Sequence, residues 1–379
     1  MADIFDYLDW RADVPLSADP FNEVDNLVLA ELAYTDFTGI VPSFGEPVSI
    51  TDACTLFFQM HDREEILKDT SPTAKAPLLM EKLVTGCRFA NMQLCRYINE
   101  IDVEKTVQLS AITFLLDDGT AYVAYRGTDS TVIGWKEDFD LGCLTETSGQ
   151  LYSVQYLEDV ASKYALPLRV GGHSKGGNFA VFASSACSAH IQERILSVYS
   201  NDGPGFREET VNSDGYTRIL PKVISIIPDT SIIGLLLISR AKHLVVKSTA
   251  FGIYQHDGFS WCVKRNRFES TELSELGKVL NSTLDSWVDG MDDETRKSMT
   301  DTIFSVIGST GLDTFHEMSK QKWKSAEAML GSLFSISREK QSELLRLAGQ
   351  LVKSGSQAAI EQLPEALSKG KKEDQPDQI

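Results

Sequence analysis

The spacing of apolar residues changes near residue 106. Upstream, Ile66–Leu67, Leu78–Met80, Leu83 and the stretch from Phe89 to Ile98 carry apolar residues three or four apart, the period of a helix face. Pro72 and Pro77 interrupt them, and residues 1–105 read as a mostly helical region that packs on the domain C-terminal to it. From Thr106 to Leu116 and from Thr120 to Tyr125 the chain turns β-branched and aromatic, with Asp117-Asp118-Gly119 between the two runs. That pattern predicts a hairpin. Tyr152 to Tyr164 carries Val154, Leu157, Val160 and Ala161 on one side and predicts an amphipathic helix. Leu168 to Val170, Ile195 to Tyr199 and Val223 to Ile227 read as short buried strands, and Asn178 to Ala189 as a small-residue helix. Strand and helix in alternation predict a mainly parallel sheet covered on both faces. Beyond Arg267 the spacing is helical again, in runs such as Leu273, Leu276, Leu280, Leu284 and Trp287, which marks a helical C-terminal region over 267–353. The polar residues 354–379 read as a disordered tail.

Composition narrows the function classes. Of 379 residues, 42% are hydrophobic and the net charge is −18, so a sizeable core is available while phosphate backbones and anionic membrane surfaces are disfavoured partners. No nucleic acid is expected. The N-terminus has no basic segment followed by an apolar one, and Ser231 to Ser239 is too short to span a bilayer. The expectation is a cytoplasmic protein without a transmembrane segment, its oligomeric state open. None of the six cysteines lies in a CxxC pair. They are expected to be buried free thiols, with no metal site and no cofactor.

The chemistry concentrates in Gly172-His173-Ser174-Lys175-Gly176. A G-x-S-x-G run between a strand and a helix sets its serine on a tight turn with the hydroxyl exposed. Flanking glycines admit the close backbone approach, and the amide of Lys175, at the helix N-terminus, is a candidate oxyanion donor. His173 is read as part of the turn and not as a base, because neighbouring side chains on such a turn diverge.

Together with the preceding Val123-Ala124-Tyr125-Arg126-Gly127-Thr128 and the later Trp135 and Asp138, this elbow resembles the fungal-type (class 3) lipases, closer to a bacterial branch than to the secreted fungal enzymes. The likeness spans Thr106 to Val263. It implies an α/β-hydrolase fold with a mainly parallel central sheet as the core over 106–266. It also implies Ser174 as nucleophile and Thr128 as second oxyanion donor. Arg126 reads as structural, pairing with an acid such as Asp138.

A serine nucleophile needs an imidazole oriented by a carboxylate, in the order Ser, acid, His. His256, followed shortly by Trp261, matches the family's histidine; His243 lies in a basic, solvated-looking patch, and His316 in the C-terminal region. Asp229, just past the strand Val223 to Ile227, is the expected orienter. Asp202, in Asn201-Asp202-Gly203-Pro204, is the alternative, although Asp-Gly usually marks a turn. Ile233 and Leu236, between acid and base, would line an acyl pocket or a small lid, or belong to a core helix. The resulting expectation is ester hydrolysis through an acyl-enzyme on Ser174, with a small ester or lipid-like molecule as substrate. The alternatives are a peptidase or thioesterase using the same residues, and a non-catalytic interaction protein on this fold.

Overall fold

Ala121-Tyr122-Val123-Ala124-Tyr125 offers no charged side chain to either face, so a strand made of it must be covered on both. In the computed structural model, which describes residues 1–69, 71, 73–102, 107–128, 141, 144, 146–275, 277–278, 298 and 301, all five residues are 0% exposed. They form the fourth strand of an eight-stranded sheet: β1 (Val48–Ser49), β2 (Gln93–Asp102), β3 (Val107–Leu115), β4 (Ala121–Tyr125), β5 (Leu168–His173), β6 (Ile195–Asn201), β7 (Val223–Pro228) and β8 (His243–Val246). Neighbours follow chain order. β1 to β4 are antiparallel, and β4 to β8 run parallel. The mainly parallel α/β fold expected from the sequence is therefore present. The hairpin is present too: Gly119 takes a positive φ of 76°, and the Asp118 carboxylate accepts from the Thr120 amide.

Strand alternation divides the core into two layers. Tyr122, Ala124, Ile112 and Phe114 face the N-terminal helices α1 (Ile4–Arg11), α2 (Glu23–Leu32), α3 (Ile50–Met60), α4 (Arg63–Lys68) and α5 (Leu78–Leu83). Ala121, Val123 and Tyr125 face α6 (Ser148–Lys163) and α7 (Lys175–Ala186). α6 starts on a capping box in which Thr147 and Gln150 satisfy each other's backbone amides.

The segment from Phe89 to Ile98, read as helical, is largely strand β2 instead. Its pairing with β3 slips between Cys95 and Ile98, where Arg96 has φ 58°. A bulge of this kind inserts an extra residue and breaks the two-residue period, so the apolar spacing imitates a helix. Strand β8 was not anticipated. The expected C-terminal helices and tail, with His316, fall almost wholly outside the described residues, as do Trp135, Asp138 and Cys143. The other five cysteines are free thiols, and Cys95, Cys187 and Cys262 are buried as expected. Cys54 is half-buried and Cys87 is exposed, so burial was the wrong expectation for those two. Among the described residues no helix is long and apolar enough to cross a membrane.

One ionic pair fastens α2 beneath the sheet. Arg88, 1% exposed, donates from Nε and Nη2 to the Asp25 carboxylate at 2.8 and 2.5 Å, and the Tyr7 hydroxyl donates to the same carboxylate at 2.8 Å. Removing one partner leaves a buried charge uncompensated. Arg88→Met is expected to destabilise the fold by about 3–5 kcal/mol, read from urea unfolding. A loss below about 1 kcal/mol, the size of an exposed pair, would contradict this account.

Candidate active site

Ser174 closes β5 and precedes α7 with φ 58° and ψ −131°, a backbone conformation that L residues avoid and that persists only where the surroundings enforce it. The enforcement is steric. A Cβ on Gly172 would lie 2.4 Å from the Tyr125 carbonyl oxygen, and one on Gly176 would lie 2.0 Å from the same atom. The elbow strand and the first turn of α7 are therefore pressed against the end of β4, and only glycine fits at either place. Beyond β4, a Cβ on Gly127 would stand 2.9 Å from the Ser174 Cβ. The segment leading to Thr128 therefore runs directly beside the serine.

His256 lies 82 residues further along the chain, and its Nε2 is 2.9 Å from the Ser174 hydroxyl. Its other ring nitrogen, Nδ1, is 2.6 Å from an Asp202 carboxylate oxygen. Asp202 is 1% exposed. Its second oxygen accepts from the Ser231 hydroxyl at 2.5 Å and from the Gly234 amide at 3.1 Å. A carboxylate only accepts at neutral pH, so Nδ1 carries the proton and Nε2 offers its lone pair to the serine.

The expectation for Asp229 is corrected here: it does not reach His256. Its carboxylate accepts from Gln255 Nε2 at 3.0 Å and from the Thr230 hydroxyl at 2.9 Å. It thus holds the residue before the imidazole, while Asp202 holds the imidazole itself. The strand order explains the exchange. Asp202 directly follows β6, which adjoins the elbow strand β5, whereas Asp229 follows β7, one strand further away. Asp202 does sit at a turn, with φ 47°. That left-handed conformation, which Asp tolerates, belongs to the same residue whose carboxylate meets the ring, so the turn reading and the orienting reading coexist.

Lys175 is the first residue of α7, and its buried side chain donates to Gln108 Oε1 at 2.9 Å. Ile233 and Leu236 are half-buried in and beside a short 3-10 turn whose Gly234 amide faces Asp202. This segment is neither a core helix nor detached, since Leu236 accepts from the Gly205 amide and Ile238 exchanges backbone bonds with Phe206. His243 lies in β8, half-buried and bonded through Nδ1 to the Ser225 hydroxyl at 2.8 Å, in place of the solvated patch expected. Burial pushes its imidazole below the usual range.

Sequence reasoning passed over two residues of α2 and its exit. The Tyr34 hydroxyl is 2.9 Å from His173 Nδ1, and His173 Nε2 is 2.7 Å from the His256 carbonyl oxygen. Burial, with His256 alongside, pushes His173 down to about 3, which keeps it neutral. Glu31 is buried, and its Oε1 has no hydrogen-bond partner among the described residues. No local motif marks either one; only helical spacing on a buried face would have pointed to them.

A strained serine within hydrogen-bond distance of an imidazole that is itself held by a buried carboxylate, at the end of a mainly parallel sheet, makes a hydroxyl–imidazole–carboxylate arrangement. The chain belongs to the Mbeg1-like family, whose model matches residues 83–305. Among solved structures it is similar to the Lip2 lipase from Yarrowia lipolytica at 15% identity, over 49% of this chain and 73% of that one, with TM-score 0.31. It is also similar to the lipase from Rhizopus microsporus var. chinensis (14%, 57% and 82%, TM-score 0.33) and to M37 lipase (13%, 56% and 69%, TM-score 0.36). No curated protein matches the chain.

Burial first, and then the nearby Asp257, raise the Glu31 carboxyl well above its ordinary 4.5. The native state therefore keeps a proton that the unfolded chain gives up. Between those two values stability falls as pH rises, starting from about pH 4.5. Glu31→Gln removes that dependence. It is expected to raise the melting temperature by several degrees at pH 8 and by little at pH 4.5, as measured by thermal unfolding at the two pH values.

Proposed function

We propose that the protein is a serine ester hydrolase of the lipase/esterase kind. The observation that carries this reading is the unbroken contact from Ser174 Oγ to His256 Nε2 at 2.9 Å, and from His256 Nδ1 to Asp202 at 2.6 Å, at a serine held with positive φ. In the reaction Ser174 Oγ attacks the ester carbonyl while His256 Nε2 takes the hydroxyl proton. Asp202 stabilises the imidazolium that forms. The tetrahedral oxyanion is received by the backbone amides of Lys175 and Thr128. Each such donor contributes on the order of 3–4 kcal/mol when removal is the test. His256 then returns its proton to the departing alcohol, leaving Ser174 acylated. A water that gives its proton to the same imidazole releases the acid and restores the serine.

Ile233 and Leu236, half-buried next to the Asp202 loop, would contact an acyl chain. With a net charge of −18, a neutral ester or lipid-like small molecule suits the surroundings better than an anionic one.

Four substitutions test the assignment with a short-chain p-nitrophenyl ester and a fluorophosphonate label. Ser174→Ala is expected to abolish both turnover and labelling without unfolding the protein. His256→Ala and Asp202→Asn should each lower kcat by roughly four orders of magnitude, the latter by favouring the wrong imidazole tautomer. Asp229→Asn should stay within about tenfold of wild type, since its carboxylate acts on the loop and not on the ring. A wild-type protein that neither labels nor turns over esters would overturn the hydrolase reading. Loss at Asp229 exceeding that at Asp202 would reassign the acid.

A further inference from the structure

His256 sits at the end of a short 3-10 segment, Gly252–His256, between the exposed side chains of Phe251 and Tyr254 and the Asp257 turn. Such a segment has few hydrogen bonds of its own, so its position depends on outside anchors. Trp261 Nε1 donates to the Gln255 main-chain carbonyl at 2.8 Å, and the Gln255 side-chain Nε2 donates to Asp229 at 3.0 Å. The carbonyl of His256 itself is held by His173 Nε2 at 2.7 Å.

That contact fixes a tautomer. A carbonyl oxygen only accepts, so His173 Nε2 carries the hydrogen and Nδ1 is left with a lone pair. The Tyr34 hydroxyl, 2.9 Å away, donates to that lone pair. The result is one directed chain: Tyr34 O–H to His173 Nδ1, then His173 Nε2–H to the His256 carbonyl. The two imidazole rings lie 4.6 Å apart at their centroids. A neutral His173 can brace the loop from this distance without repelling the charge that forms on His256 during attack. Tyr34 also borders the other half of the site, because a Cβ on Gly127 would stand 2.2 Å from its hydroxyl. It thus abuts the backbone leading to Thr128. Tyr34 follows α2 and precedes residues 83–305, which the family model matches.

We propose that Tyr34 and His173 form a positioning pair that fixes the main chain of His256, and with it the reach of the imidazole to Ser174, so that the N-terminal region completes the site. This rests on the hydrolase reading above. Both act as positioning residues, through the main chain of His256. A displacement of about 1 Å at a catalytic group can cost on the order of a hundredfold in rate, and this is the size of effect at stake.

The test uses the full chain with Tyr34→Phe, His173→Phe and His173→Gln, folding being checked by thermal unfolding. The glutamine Nε2 stands as many bonds from Cβ as the imidazole Nε2 and can donate to the same carbonyl. Expected are kcat losses of about tenfold for Y34F and about a hundredfold for H173F, KM unchanged, with H173Q recovering most of the loss. A second readout does not need turnover: the low-field proton resonance of His256 Nδ1–H, identified by its absence in His256→Gln. It should broaden or shift in Y34F and H173F and return in H173Q. If H173F does not fold, Y34F and H173Q still decide. The pair is refuted if folded Y34F keeps both the wild-type kcat and the wild-type resonance, or if H173Q behaves as the weaker of the two phenylalanine variants. A silent wild-type enzyme whose resonance responds as described would sink the hydrolase reading and leave the pair standing.

Discussion

The close approach of the elbow to the Tyr125 carbonyl governs the rest of the site. Gly172 and Gly176 each bring backbone to a place where a methyl group would sit 2.0–2.4 Å from that oxygen. The approach forces the positive φ of Ser174, starts α7 at Lys175, and leaves the segment 126–128 beside the serine. Any side chain at either glycine would push β5 and β4 apart, and three elements would lose their alignment together. The strain at one residue is sustained by packing among many, which is how a backbone conformation costing about 1–3 kcal/mol survives in a marginally stable protein.

Charge around the imidazole is arranged unequally. Asp202 has three donors, the Ser231 hydroxyl, the Gly234 amide and the His256 ring, so its negative charge is accommodated in a buried place where an unpaired carboxylate would not be. The His173 ring lies 4.6 Å from the His256 ring, centroid to centroid, yet burial keeps it neutral. One neighbour holds the ring by a hydrogen bond and the other stands beside it uncharged. Gly234 shows how tightly the first is built, since a Cβ there would lie 2.4 Å from the Asp202 carboxylate. Ser231 and Gly234, in the apolar stretch that sequence offers as a pocket lining, a small lid or a core helix, hold the Asp202 carboxylate.

The elements that sequence revealed are those whose signal is local. The Asp117-Asp118-Gly119 turn, the β4 run and the elbow each carry their instruction within a few residues, and the serine and histidine that the structure brings to 2.9 Å could be singled out for that reason. β2 was not, because the bulge at Arg96 shifts the parity of its apolar positions. The carboxylate that meets the ring was expected at Asp229 and is Asp202, on the same ground. Asp202 and Asp229 both follow strands, and nothing near either one encodes which strand adjoins β5. That depends on sheet order, a long-range property, and an Asp-Gly pair invites the turn reading when its turn and its contact with the ring are in fact both present.

Helix α2 shows why the N-terminal region cannot be treated as a cover laid over a finished core. Every residue from Val24 to Leu32 is buried, including polar ones, and burial of a polar group is tolerable only where a partner waits. The partners lie on three adjacent strands of the sheet. Asn26 donates to Asn201 at the end of β6 and accepts from Tyr122 of β4. Asn201 in turn donates to the Gly172 carbonyl in β5, and Tyr34, just past the helix, meets His173. One helix and the residue just past it thus tie three adjacent strands, of which β5 leads into Ser174 and β6 into Asp202. An apolar helix could have filled the same volume. The polar residues add direction, because a hydrogen bond fixes where a strand end sits, whereas an apolar contact fixes only that it is covered.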